Sequence, residues 1–79
     1  MNWRICFPQR LRQAREAKNL TKTALGQLVG VSNVSIREFE IGRKVPTVDT
    51  LIALAQALDC SLDWLCGLTD EPNWMRPGH

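Results

Sequence analysis

Apolar residues in this 79-residue chain recur at helical spacing from its first quarter almost to its end. Leu25, Leu28 and Val29 fall on one helical face, and Ile36 and Phe39 on another. Thr21 and Ser32 stand just ahead of these two runs, each with a side-chain oxygen that can accept from an orphan first-turn amide. The pattern predicts helices at 22–29 and 33–41. Gly30 sits where the first of these must stop, a position favouring positive φ. Pro8 suits a first helical position, so an earlier helix is expected from there to about Lys18, with Phe7, Leu11 and Ala14 inward. Lys18 and Asn19 close it, a cation and a residue tolerant of the left-handed region. Thr47 caps a fourth helix with Asp49 in its first turn, and Val48, Leu51, Ile52, Ala55 and Leu58 form its stripe. Ser61 caps a short fifth helix ended by Gly67. Trp3, Ile5 and Phe7 alternate, which predicts a short extended arm. Leu68 to His79 carries two prolines and reads as an irregular tail. No strand stands out, so the expectation is an all-α bundle of five helices.

Only Val31 and Ser32 separate the second helix and its glycine stop from the third. Helices joined so tightly cross steeply, leaving the later one free to project from the surface. That is the geometry of a DNA-reading helix-turn-helix. The chain resembles the phage-repressor-like regulators of the Cro and CI type, the XRE-like helix-turn-helix group. The resemblance is carried by Leu20-Thr21, Leu25, Gly30-Val31-Ser32, Ser35-Ile36, Phe39-Glu40, Gly42-Arg43, Pro46-Thr47, Leu51, Leu54-Ala55, Leu58 and Ser61-Leu62-Asp63-Trp64-Leu65. It implies a lambda-repressor-like domain over 7–68, with an arm at 1–6 and a tail at 69–79. It implies sequence-specific binding of double-stranded DNA by a prokaryotic or phage transcriptional regulator, with 33–41 in the major groove.

Composition fits a single small domain, which buries only about 60% of its unfolded surface and gains from dimerisation. The opening residues lack the apolar core of a signal peptide, no run is apolar enough to span a membrane, and the expected location is cytoplasmic. Cys6, Cys60 and Cys66 form no CxxC pair and His79 is the sole histidine, so free thiols and no metal are expected. No Ser/His/Asp set or glycine-rich phosphate loop is present, so neither catalytic residues nor a cofactor are expected. Residues 1–48 hold nine Lys or Arg against three acids, and 49–79 one against five. A basic front half and acidic back half suit a molecule with one DNA-facing side.

With Ile36 and Phe39 inward, the outer face of the third helix carries Asn33, Val34, Arg37 and Glu38, with Ser35 at its side. The resemblance places Asn33, Val34 and Glu38 where this family reads bases. Asn can bridge adenine N6 and N7, Glu can accept from cytosine N4, and valine suits a thymine methyl. Single exposed valines are also ordinary, and Glu38 could instead orient Arg37 or Lys22. Lys22, Ser35, Arg37, Arg43 and Lys44 are the candidate phosphate contacts. The family usually has Gln at position 22, so Lys22 adds a charge there. By the same resemblance, Arg15 and Glu40 pair across two helices as a structural element. The family usually places Ala where this chain has Gly26. Either the neighbouring helix approaches unusually near, or the site is suboptimal and would accept Ala with a gain in stability.

Trp64 and Leu65 exceed what a short helix needs inward. They are expected to anchor a homodimer interface, together with the loop before the fourth helix, the alternative being that Trp64 merely caps the monomer's core. The resemblance leaves repressor, activator and antitoxin open. The rival reading is a helix-turn-helix fold used as a protein-interaction module with a protein partner, because fold alone does not fix function.

Overall fold

The computed structural model describes residues 3–71. Five helices follow one another: α1 (Trp3–Ala17), α2 (Lys22–Val29), α3 (Asn33–Glu40), α4 (Val48–Ala57) and α5 (Leu62–Leu65). Each of the last four is opened by the hydroxyl that the sequence marks for it. Thr21 accepts from the Ala24 amide, Ser32 from Ser35, Thr47 from Thr50 and Ser61 from Trp64, at 2.9–3.2 Å. Such a cap contributes about 1 kcal/mol, a large share of what a two-turn helix needs.

Each helix sends one side chain into the fully buried centre: Leu11, Leu25, Ile36, Leu54 and Leu65. Around them close Phe7, Ala14, Phe39, Ala55, Leu58, Cys60 and Trp64. α1 packs on α3 and α5, α2 on α3 and α4, and α4 on α5. The α2–α3 pair is thus held from both sides, and the outer face of α3 stays open. Burial pushes the Cys60 thiol up to about 11, the behaviour of a small core residue.

Several sequence expectations change. The expected extended arm is helical from Trp3 onward, and Pro8 lies inside α1 instead of opening it. Helical spacing brings Trp3 over Phe7, edge to face at 5.5 Å, and Phe7 onto Phe39 at 6.3 Å. Burying these rings outweighs the one amide donor that Pro8 removes from the ladder. Leu28, expected on the inner face of α2, is 62% exposed. In α4, Val48 is 70% exposed and Ile52 is also exposed, because Leu54 takes the centre and turns the helix by part of a turn. The last part of the tail, with Trp74, lies outside the described residues. Its start is tied down: the Arg10 guanidinium sits 5.0 Å over the Trp64 ring, donates to the carbonyls of Trp64 and Thr69, and pairs with Asp70 at 2.8 Å.

The tightest joint is the α2–α3 turn. Gly30 adopts φ +81°, and the amides of Gly30 and Val31 both donate to the Gly26 carbonyl, at 2.8 and 2.9 Å. This folds the Val31 carbonyl back over Gly26, where an added Cβ would stand 2.5 Å from its oxygen. Gly26 is therefore a close-approach site, and the expectation that Ala would be accepted with a gain is corrected. The obstructing atom is backbone, which cannot swing aside. A second long-range tie joins α1 to α3. Arg15 Nε donates to Glu40 Oε2 at 2.6 Å and its Nη2 to Oε1 at 3.2 Å, while Nη1 donates to the Leu20 carbonyl at 2.8 Å. Both side chains are almost wholly buried, and the Glu40 carboxylate holds the Arg15 guanidinium above its ordinary pKa.

Two outcomes follow from these joints. Gly26→Ala should lower stability by about 1–3 kcal/mol in thermal or urea unfolding, against the gain of about 1 kcal/mol that helix propensity alone gives. A stabilised variant would show that the turn relaxes freely. Glu40→Ala should cost about 3–5 kcal/mol by stranding a buried guanidinium, whereas replacing Arg15 and Glu40 together with Met and Leu should cost much less. Equal losses in the two variants would contradict that account.

Candidate nucleic-acid interface

α3 begins at a capped end, and its buried pair Ile36 and Phe39 fixes its rotation about its own axis. Asn33, Val34 and Arg37 are consequently exposed, while Ser35 and Glu38 are half-buried at the flanks. Val34 is 57% exposed, an apolar contact point on an otherwise polar helix start. Asn33 Nδ2 donates to Thr23 Oγ1 across the α2–α3 gap at 3.4 Å. The three expected base-reading residues therefore share one helix, with Asn33 and Val34 foremost at its open end.

The expected phosphate contacts fall into two groups on either side of that face. Beyond α3, Gly42 at φ +77° turns the chain, and the amides of Arg43 and Lys44 donate to the Glu38 carbonyl at 2.9 and 3.3 Å. Lys44 Nζ then reaches the Ser35 hydroxyl at 3.3 Å. Ser35, Arg43 and Lys44 are thus brought together by one turn of backbone. Lys22 and Arg37 line a cleft of about 280 Å³ with Arg12, Arg15, Glu16, Glu40 and Ile41. Within it Arg12 pairs with Glu16 at 3.1 Å and Arg15 with Glu40, so those charges cancel. Lys22 and Arg37 make no ion pair with any of the described residues, which leaves two positive charges uncompensated beside α3. Lys22 also stands at the first position of α2, where the helix dipole adds to its field.

Trp64 and Leu65, the expected dimer anchors, belong to the monomer's own core at 4% and 0% exposure. Trp64 thus closes the core of the single chain from α5, a one-turn helix packed on α1 and α4. Val45, Val48, Ile52 and Leu62 are exposed, as are Ile5, Leu28, Ile41 and Leu68. Thr23 and Arg12 were not identified from the sequence. Thr23 is one of two neighbouring hydroxyls at the start of α2, and only the crossing with α3 selects it. Arg12 could have been found from its i, i+4 spacing to Glu16, although nothing in that spacing tells which cleft the pair lines.

Residues 11–65 match the family described as helix-turn-helix, a span running from the first of the five central core residues to the last. Over 67 residues the chain is 42% identical to YobD, an HTH-type transcriptional regulator of Bacillus subtilis, covering 85% of this chain and 60% of that protein. It is 38% identical over 65 residues to the cryptic phage CTXphi transcriptional repressor RstR of Vibrio cholerae, covering 80% of this chain and 58% of the repressor. The chain thus spans less than two thirds of the length of either. The crystal structure of the Salmonella phage P22 c2 repressor with a synthetic operator is similar with a TM-score of 0.73 and 41% identity, over 75% of this chain and 89% of that one. Capped helices, a glycine-bound turn and a matching core thus converge: the chain belongs to the XRE-like helix-turn-helix family that includes phage repressors.

Proposed function

We propose that this chain is the DNA-binding unit of a cytoplasmic transcriptional regulator, a repressor by preference, that sets the start of α3 into the major groove of an operator. The observation that carries the reading is the exposed Asn33–Val34 start of α3, flanked by cations on both sides. Asn33 offers the donor and acceptor pair that adenine requires, Val34 an apolar contact for a thymine methyl, and Glu38 an acceptor for cytosine N4. Lys22 and Arg37 on one flank, and Ser35, Arg43 and Lys44 on the other, contact phosphates and set the register. The relatives support a DNA partner, since the P22 c2 repressor is found with an operator and RstR is a repressor by name.

A two-fold dimer on a pseudo-palindromic site completes the reading, with half-sites about 34 Å apart. Of the exposed apolar residues, Val45, Val48, Ile52 and Leu62, on and around α4 and α5, are assigned to the second copy. The buried Trp64 and Leu65 can act there only by supporting α5 from beneath.

Selection from random duplexes should return an enriched, two-fold symmetric motif. Asn33→Ala should cost about 1–3 kcal/mol on that motif and relax discrimination at one position. Lys22→Ala and Arg43→Ala should weaken all sequences alike, each lowering the slope of log K against log salt by about 1. Sedimentation should find two chains per operator. An unenriched pool would sink the base-readout reading, and a single chain on an asymmetric site would sink the dimer.

A further inference from the structure

The N-terminal ends of α2 and α3 lie side by side, and there the Asn33 amide donates to the Thr23 hydroxyl. Thr23 is free for this contact because Thr21 supplies the cap of α2, accepting from the Ala24 amide at 3.0 Å. Ser32 likewise caps α3, accepting from the Ser35 amide at 3.1 Å, so Asn33 is not consumed by its own helix end. The turn that leads into α3 packs its Val31 and Ser32 backbone directly on Gly26. Two exposed polar side chains are thus held opposite each other by a rigid joint.

An exposed asparagine ordinarily samples several rotamers, and its broad terminal torsion lets the amide plane swing. Reading adenine leaves no such freedom: Oδ1 must accept from N6 while one Nδ2 hydrogen faces N7. Nδ2 carries two hydrogens. Giving one to Thr23 leaves the other, together with Oδ1, for an adenine edge.

We propose that Thr23 is a positioning residue for base readout, holding the Asn33 amide in the plane that an adenine edge requires without touching the base itself. The proposal rests on the operator-binding reading above and adds a specificity determinant on α2. The ordering of Asn33 is then completed in the free protein instead of being imposed when DNA binds.

The test uses Thr23→Val, which keeps the shape and removes the hydroxyl, and Thr23→Ser, which restores it. In the free protein, Thr23→Val should shift the Asn33 side-chain amide resonances and average its χ1 couplings, with melting temperature unchanged. On DNA, it should reduce discrimination at the base pair read by Asn33 by about three- to tenfold. The salt slope and binding to random duplex should not change, and Thr23→Ser should recover most of the loss. In an Asn33→Ala background Thr23→Val should have no further effect. A Thr23→Val protein with undiminished discrimination would overturn the proposal, and so would one weakened equally on all sequences, since that marks a phosphate contact. If the wild-type chain enriches no motif, the operator reading itself has failed; unaltered Asn33 resonances in free Thr23→Val overturn the Thr23 role independently of it.

Discussion

The placement of α3 depends on the turn that joins it to α2, and that turn depends on a missing side chain. The Val31 carbonyl oxygen lies 2.5 Å from where a Cβ on Gly26 would be, and the Gly26 carbonyl in turn accepts the amides of Gly30 and Val31. Gly26 thereby supplies the carbonyl that closes the end of α2 and the floor on which the Val31–Ser32 backbone of the turn rests. Glycine inside a helix costs about 1 kcal/mol relative to alanine. Here that cost is offset by a connection of only three residues, Gly30 to Ser32, which leaves little freedom in the crossing angle. The outward direction of Asn33 and Val34 follows from that angle together with the burial of Ile36 and Phe39.

The Arg15–Glu40 pair acts at the other end of α3. A buried ion pair adds little net stability, since desolvation cancels most of the attraction, but its geometry is exacting. Two hydrogen bonds to one carboxylate and a third to the Leu20 carbonyl fix α3 to α1 and to the loop before α2. No buried side-chain nitrogen or oxygen among the described residues is left without a partner. The pair also decides the field of the adjoining cleft. Because Arg15 is neutralised by Glu40 and Arg12 by Glu16, the positive charge that faces outward belongs to Lys22 and Arg37. Net charge over the whole chain, at +2, would not have suggested a polyanion partner. The separation of charge along the chain and the pairing within the cleft make that argument instead.

Arg10 performs a comparable service on the far side of α1. It stacks on Trp64 and gathers the Trp64 and Thr69 carbonyls, so the chain leaving α5 follows a fixed path. Together with the edge-to-face contacts of Trp3, Phe7 and Phe39, this makes α1 the spine against which both ends of the described chain are set. The α2–α3 unit is left with its outer surface free for a ligand.

The sequence by itself determined the starts of α2 to α5, the turn and the outward set on α3. Those features are local: a hydroxyl ahead of an apolar run, a glycine after it, and two core residues three apart on a short helix. The five-helix architecture was legible for the same reason, since almost every element carries its own cap and stop. What the sequence left open was how each helix is rotated about its axis. Two or three turns offer more apolar positions than one face can bury, and periodicity cannot choose among them. Packing made the choice, sending Leu54 inward and Val48, Ile52 and Leu28 outward. It also gave Trp64 and Leu65 to the core, and turned the Trp3–Phe7 alternation into a helical pair that reaches Phe39. The bond between Thr23 and Asn33 is tertiary in the same sense: ten residues apart in the chain, they meet only where α2 and α3 cross.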